Sequence, residues 1–200
     1  LGAAMHYSSQ TDILALALTK IAGEPLQDLF HRRIGSVIGI NPDAFEWKSA
    51  HTVDGMRING GAGMPESGVY TNATNMARFG WLYANDGAWN GQQLISKRYI
   101  DYATSVRVPA STPPHDPKGW YAEVLPGRYG LNWWVNGRDK HGVKLWPHLS
   151  GQAFAAQGNK NNICIIEPER NLVLVRLALD KNIEGSEYDV FFEALLEGEH

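Results

Sequence analysis

Cysteine is almost missing from this sequence, because Cys164 is the one cysteine among 200 residues. A single cysteine excludes a disulfide within the chain and a metal site made of several cysteines. No run of about 18 apolar residues occurs, so hydropathy predicts no membrane-spanning helix. The sequence also has no large excess of positive or negative charge, since 18 Lys+Arg and 21 Asp+Glu leave a net charge of −3. This balance disfavours nucleic acid and anionic membranes as main partners.

Familiar catalytic motifs are absent too. The sequence contains no Gly-x-Ser-x-Gly turn, no P-loop, no Gly-x-Gly-x-x-Gly fingerprint and no His-Glu-x-x-His pair. The seven histidines lack the spacing of metal ligands, and we predict neither a metal nor a cofactor. A Ser-x-x-Lys pair is also missing; Ser96, for example, is followed three residues later by Tyr99. Generic motifs alone therefore give no enzyme class.

Helical periodicity dominates the first 128 residues. A helix is predicted over residues 9–22, capped by Ser8 or Ser9. Glu24-Pro25 opens a second helix, and further helices are predicted over 73–85 and 96–102. The apolar stripe predicted for the first helix consists of Ile13, Leu14, Ala17, Leu18 and Ile21.

Two stretches of this first part are predicted to be irregular. Residues 41–71 are interpreted as a long connection, in which Asn59-Gly60-Gly61-Ala62-Gly63 indicates positive φ or close backbone approach. Such a connection is either functional or a plain solvated linker. Residues 105–127 contain five prolines and are interpreted as an extended surface loop.

The periodicity changes to that of β-strands after residue 128. Strands are predicted over 129–135, 143–146, 153–157, 162–166 and 172–179, with turns at Asn136-Gly137 and Pro168–Asn171. A closing helix over 186–196 offers Tyr188, Phe191, Phe192 and Leu195 to the sheet. Helices followed by an antiparallel meander indicate an α+β fold. We expect a mainly helical lobe over 1–128 and an α/β lobe over 129–200.

Three stretches together resemble a known superfamily. They are His6-Tyr7-Ser8-Ser9 with the helix after it, Ser67–Ala73 leading into Met76–Gly80, and Tyr129–Trp134 followed by Phe154–Gly158 and Ile163–Val175. Their order and spacing are similar to the serine β-lactamase-like hydrolases, which include class C β-lactamases, DD-peptidases and related bacterial esterases and amide hydrolases. The resemblance covers nearly the whole chain, but only the later part of a family member.

The resemblance implies nucleophilic acyl transfer by a serine, which needs a base to take its proton. The family carries this serine in Ser-x-x-Lys, one helical turn apart. Tyr7 matches the tyrosine of the family's Tyr-x-Asn motif and is the candidate acid/base residue; the alternative is a packed tyrosine beside the first helix. Ser9 takes the third position of that motif, as a substrate-binding residue or simply as the helix cap.

The late element departs from the family pattern. Asn159-Lys160-Asn161 stands where Lys-Thr-Gly or His-x-Gly is expected. Asn159 cannot supply the cation, and Lys160 would point to the opposite face of a regular strand. Asn162 is the candidate oxyanion donor through its backbone N–H. The four residues are predicted to bind substrate, against the alternative of a solvated polar turn.

The resemblance thus implies a serine hydrolase that acts on a small-molecule ester or amide. Its Ser-x-x-Lys would come from a missing upstream segment, and the 200 residues alone are expected to be inactive. The alternatives are a catalytically inactive relative that binds peptidoglycan or a small ligand, and a structural piece with a pairing sheet edge. Trp133, Trp134 and Trp146 are candidate pocket walls or plain core residues, and Trp120 lies in the proline-rich stretch. Family members are often exported, which implies a periplasmic or secreted location.

Overall fold

A computed structural model describes residues 3–7, 11–49, 51–61, 67–119, 121–178 and 185–197. The predicted capping residues Ser8 and Ser9, and Trp120, lie outside these ranges. None of the helices in the described ranges is long and apolar enough to cross a membrane. The helices are α1 (Thr11–Ala22), α2 (Leu26–Phe30, continued by a π-helical turn over His31–Gly35), α3 (Ala73–Ala84), α4 (Lys97–Ala103) and α5 (Gly185–Glu197).

The main sheet has four antiparallel strands, which lie in the order β10 (Leu172–Arg176), β9 (Ile163–Glu167), β8 (Phe154–Gln157) and β7 (Trp134–Val135). In this sheet, Leu172 lies opposite Glu167, and Phe154 lies opposite Ile166. The mixed helices and antiparallel sheet confirm the predicted α+β class. The strands are β1 (Phe45–Lys48), β2 (His51–Val53), β3 (Met56–Ile58), β4 (Gly68–Thr71), β5 (Ala88–Trp89), β6 (Gln92–Gln93), β7 (Trp134–Val135), β8 (Phe154–Gln157), β9 (Ile163–Glu167) and β10 (Leu172–Arg176).

Helix α3 packs directly on the strands β9 and β10. It begins where the Asn72 side chain accepts a hydrogen bond from the backbone N–H of Asn75, which satisfies one of the unpaired donors of a helix start. A Cβ atom at Gly80 would come within 2.7 Å of Cys164 Sγ. The helix therefore approaches the sheet at a glycine, and this contact buries the thiol and raises the pKa of Cys164 to about 12.

The apolar stripe predicted for α1 is not its buried face. Ala15 and Thr19 are the buried residues of this helix, because they face α2 and β3. All five side chains of the predicted stripe lie on the surface instead, Ala17 included. The periodicity found the helix correctly but assigned its core to the wrong side. The large exposed members are Ile13, Leu14, Leu18 and Ile21.

The two stretches predicted to be irregular contain more structure than expected. Residues 41–71 hold the antiparallel pairs β1–β4 and β2–β3; each of these strands has only three or four residues, too few for alternation to mark it. Within 105–127, Tyr121 and Leu125 are buried in the core, so this part is not an extended surface loop.

Several predicted strands and core residues are also corrected. Strand β7 has two residues rather than seven, because the chain turns back on itself and Tyr129 pairs with Trp134. Residues 143–146 form only an isolated bridge between Arg138 and Lys144. On α5, Tyr188 and Phe192 are buried as expected, whereas the side chains of Phe191 and Leu195 are exposed. The division into lobes at residue 128 stays a prediction.

Candidate active site

A cavity of about 1050 Å³ lies between the first residues of the chain, α1, the loop after β3 and the turn between β8 and β9. Tyr7, Asn159, Lys160 and Asn161 all line it. The structure therefore brings together the amino-terminal phenol and the late polar turn, which are about 150 residues apart in the sequence. Among the described lining residues there is no Asp or Glu, while His6 and Lys160 are present.

The Tyr7 ring is held by a cluster of aromatic side chains. Its centroid lies 5.7 Å from that of Tyr129, 6.1 Å from that of Trp134 and 6.2 Å from that of Tyr121. Such contacts with tilted or edge-on rings are favourable for aromatic pairs. Because three rings enclose it, the phenol has a fixed position on the cavity wall. Trp134 both lines the cavity and belongs to the buried core, whereas Trp133 and Trp146 are core residues that do not line it.

The hydroxyl of Tyr129 is the hydrogen-bond partner of the Tyr7 side chain. Burial raises the pKa of Tyr129 above its ordinary value, and the negative charge that Tyr7 could carry and the hydrogen bond to Tyr7 add to this effect. The two hydroxyls therefore form a hydrogen-bonded pair at the cavity wall. The sequence analysis predicts Tyr129 only as part of a strand.

The backbone beside Tyr7 is fixed by a distant segment. The N–H of Met5 donates to the carbonyl of Pro113 over 2.8 Å, and the N–H of His115 donates to the carbonyl of Met5 over 2.7 Å. These bonds form a short parallel bridge of the kind found in sheets. The proline-rich segment thus positions the candidate catalytic phenol.

The loop after β3 forms the opposite wall. The buried Asn59 side chain accepts from the N–H of Gln27 at 3.1 Å and donates to the carbonyl of Trp47 at 2.6 Å. The indole N–H of Trp47 then donates to the carbonyl of Gly60 at 3.2 Å. A Cβ atom at Gly60 would come within 3.1 Å of the Ala15 Cβ atom, so the close backbone approach expected here is present at this glycine.

The turn between β8 and β9 falls between the two strands predicted over 153–157 and 162–166. The N–H of Asn162 donates to the carbonyl of Asn159 at 3.2 Å and closes this turn, so the argument that placed the Lys160 side chain on the far face of a regular strand does not apply. Lys160 has φ 56° and Asn161 has φ 54°, both in the left-handed region. Asparagine adopts this conformation more readily than lysine does, which explains how a non-glycine residue fits at position 161.

Asn162 does not reach the cavity with the other three residues. Its backbone N–H donates to the carbonyl of Asn159 at 3.2 Å. Its side-chain oxygen accepts from the N–H of Ala178 at 2.6 Å. The backbone N–H thus closes the turn and the side chain holds the segment after β10, and the role of the Asn162 N–H as oxyanion donor stays a prediction. Ser9 lies outside the described residues, so its predicted role stays a prediction.

Sequence reasoning missed Trp47 and Asn132, which also line the cavity. Trp47 gave no signal, since a single tryptophan in a short strand has no pattern. Asn132 has φ 58°, and an asparagine between the aromatic residues of Tyr129–Trp134 is the kind of residue that marks such a bend.

Comparison with known proteins bears on this arrangement. The family model described as "Beta-lactamase" matches residues 1–193. The chain belongs to the beta-lactamase family. This agrees with the resemblance inferred from the sequence. The 6-aminohexanoate-dimer hydrolase of Paenarthrobacter ureafaciens is 24% identical over 153 residues, which are 72% of this chain and 36% of that protein.

Solved structures show the beta-lactamase fold around this site. A beta-lactamase from Mycobacterium bovis has a TM-score of 0.67 and 16% identity, covering 98% of this chain and 65% of that one. EstCE1, a hydrolase with promiscuous acyltransferase activity, has a TM-score of 0.64 and 15% identity, covering 97% of this chain and 56% of that one. The chain spans about a third of the length of the curated relatives that it matches. At this level of identity the solved structures establish the fold, and the family model establishes membership.

Proposed function

We propose that this chain supplies the Tyr7 side of a serine hydrolase site that cleaves an ester or amide through an acyl-enzyme. The main observation in support of this proposal is that Tyr7 and the turn Asn159–Asn161 line the same cavity. The hydrolase and esterase names among the relatives support a reaction of this class. Tyr7 is the acid/base residue, and the turn binds substrate.

The serine nucleophile comes, in this proposal, from a Ser-x-x-Lys element in polypeptide other than these 200 residues. No Ser-x-x-Lys occurs in the sequence. The apolar side chains of Leu14 and Leu18 line the cavity although 52% and 43% of their surfaces are exposed. A contiguous exposed apolar face is typical of a surface that another segment covers. A helix packed on this face of α1 would stand beside Tyr7.

The reaction follows from the positions of the groups. The serine O–H proton moves to the Tyr7 phenolate oxygen as the serine oxygen attacks the carbonyl carbon. The C–O or C–N bond then breaks, and the Tyr7 O–H returns its proton to the leaving group. Tyr7 then takes a proton from water as the water oxygen attacks the acyl carbon; the bond from this carbon to the serine oxygen breaks, and Tyr7 returns the proton to the serine oxygen. A cation beside Tyr7 is needed to favour the phenolate, and the lysine of Ser-x-x-Lys fills this role.

Mass spectrometry and kinetics test the proposal. The 200-residue chain is incubated with a fluorophosphonate or a β-lactam and is expected to remain unmodified; a covalent adduct on any of its serines would contradict the proposal.

The complete protein is expected to hydrolyse a short-chain nitrophenyl ester. Tyr7→Phe should lower kcat by about 10²–10⁴-fold, the usual contribution of general acid–base catalysis. Tyr99→Phe is the control, since the Tyr99 side chain is exposed and is not among the lining residues. Equal turnover in Tyr7→Phe and the wild type would remove Tyr7 from the mechanism.

A second function, an inactive binding protein for peptidoglycan or a small ligand, is favoured by the turn alone. Asn159-Lys160-Asn161 replaces the glycine-containing element expected from the family resemblance. The same experiments separate the two functions. A binding protein would bind muropeptides or the β-lactam reversibly, without an adduct and without ester turnover in the complete protein.

A further inference from the structure

The turn that faces the cavity is held in an unfavourable backbone conformation. Lys160 has φ 56° and ψ 29°, and Asn161 follows with φ 54°. In the left-handed region the Cβ atom approaches the following carbonyl oxygen, so a residue other than glycine adopts it at a cost in free energy. Two successive residues in this region are the pattern of a tight turn between antiparallel strands, and Lys160, unlike Asn161, is of a type that seldom adopts it unless surrounding contacts hold it there.

Those contacts come from β10 and α5. The guanidinium Nη1 of Arg176 donates to the carbonyl oxygens of Lys160, at 3.1 Å, and of Asn161, at 3.2 Å. The hydroxyl of Tyr188 donates to the same Asn161 oxygen at 2.9 Å. Both carbonyls of the left-handed residues therefore have side-chain donors, one of which is charged and makes the stronger type of hydrogen bond.

The two donors lie behind the turn rather than in the cavity. Lys160 and Asn161 are lining residues, whereas Arg176 and Tyr188 are not. The Tyr188 side chain is buried, and its ring stacks on Phe192 with centroids 6.5 Å apart. In a trans peptide the C=O and the N–H point in opposite directions. A Lys160 carbonyl held by Arg176 therefore directs the N–H of the same peptide away from Arg176.

We infer that Arg176 and Tyr188 are positioning residues, which form a clamp that holds Lys160 and Asn161 in the left-handed turn on the cavity wall. The helix α5 thereby sets the shape of a site that it does not line. The effect of the clamp on catalysis rests on the proposed function, whereas its effect on the turn does not.

Limited trypsin digestion of the 200-residue chain tests the clamp without using activity. Trypsin cleaves after lysine and needs the segment to open locally. Cleavage after Lys160 is compared with cleavage after Lys140, which is an exposed residue in another loop. In Tyr188→Phe and in Arg176→Ala, the ratio of the two rates should rise about tenfold, since each variant removes hydrogen bonds that oppose opening.

The control is Tyr83→Phe, which removes the hydroxyl of another buried tyrosine, on α3 and away from the turn. Its cleavage ratio should equal that of the wild type. Global destabilisation would raise both cleavage rates together and leave the ratio unchanged. An unchanged ratio in Tyr188→Phe would overturn the clamp. If Arg176→Ala does not fold, Tyr188→Phe decides alone, because its ring packing is preserved.

Ester hydrolysis by the complete protein tests the consequence for the site. Tyr188→Phe is expected to lower kcat/KM about tenfold, as misplacement of a binding group does, while Tyr83→Phe leaves it unchanged. A raised cleavage ratio with unchanged kcat/KM would overturn the positioning role. A complete wild-type protein without any hydrolysis would contradict the proposed function, and the trypsin ratio would still decide the clamp.

Discussion

Helices α1 and α3 have the same length of 12 residues and similar apolar spacing, yet they bury very different surfaces. Helix α3 lies on β9 and β10 and buries Gly80, Leu82 and Tyr83. Helix α1 buries only Ala15 and Thr19 and leaves four large apolar side chains exposed, two of which, Leu14 and Leu18, line the cavity. The comparison teaches that periodicity identifies an apolar face, whereas burial depends on which other element is present to cover it.

The largest loss of stability is expected for a substitution in the buried face of α3. Leu82 is fully buried, so Leu82→Ala removes packed methyl groups and leaves a cavity. The free energy of unfolding should fall by about 2–5 kcal/mol, measured by urea denaturation. A loss below about 1 kcal/mol would show that this part of the core is loosely packed.

A smaller loss is expected for Gly80→Ala. The new Cβ atom would lie 2.7 Å from both Cys164 Sγ and Val173 Cγ1, and overpacking of this kind costs about 1–3 kcal/mol. Alanine favours an exposed helix by about 1 kcal/mol relative to glycine, which offsets part of the loss. We expect a net destabilisation in the same urea assay. A stabilised variant would mean that α3 can move away from the sheet.

A pH-dependent loss is expected for Asp139→Asn. The N–H of Val143 is the largest cause that lowers the pKa of Asp139, and the N–H of His141 and the Arg128 guanidinium add to it. Because the folded pKa lies below the ordinary value of 3.8, this stabilisation is present above that value and disappears as the pH falls through the folded pKa.

Urea denaturation of the wild type and Asp139→Asn at several pH values measures this effect. The wild type should be the more stable protein at pH 7, and the difference should shrink under acid conditions. A difference that stays constant down to the lowest accessible pH would assign the loss to geometry rather than to charge.

The smallest effect is expected at α1. Leu18→Gln places a polar side chain on a face that is already exposed, so the free energy of unfolding of the 200-residue chain should change by no more than about 0.5 kcal/mol. In the complete protein, the same substitution should be strongly destabilising if a further segment packs there. An equal and small effect in both proteins would contradict the proposed covering of α1.

Longer elements were predictable from the sequence because each carries its own signal. Helix α3 has apolar residues at helical spacing, β9 and β10 have β-branched runs, and the turn between these strands begins with Pro168 and ends with Asn171. The short strands β1 to β6 have no such signal, because two to four residues cannot show alternation. The pairs β2–β3 and β5–β6 are joined by the two-residue turns Asp54-Gly55 and Asn90-Gly91, whereas β1 and β4 pair across a long segment and only tertiary packing defines them.

The candidate site was predictable in part. The pairing of Tyr7 with the Asn159–Asn161 turn followed from the order of motifs along the chain, and both line the cavity. The left-handed Lys160 was not predictable, because lysine rarely adopts this conformation and the clamp that holds it is 16 and 28 residues further along the sequence. The place of Trp47 in the cavity wall and the hydrogen bond between Tyr129 and Tyr7 depend on contacts that span many residues.

The parallel bridge between Met5 and the Pro113–His115 segment also has a consequence for biosynthesis. During translation Tyr7 is synthesised before the Pro113–His115 segment that anchors the neighbouring Met5, and more than 100 residues separate the two. The side chains that hold the turn at Lys160, those of Arg176 and Tyr188, are synthesised later still. Since the cavity wall is made of Met5–Tyr7 and of the distant turn Asn159–Asn161, a nascent polypeptide cannot complete this wall by local contacts before the later turn has been translated.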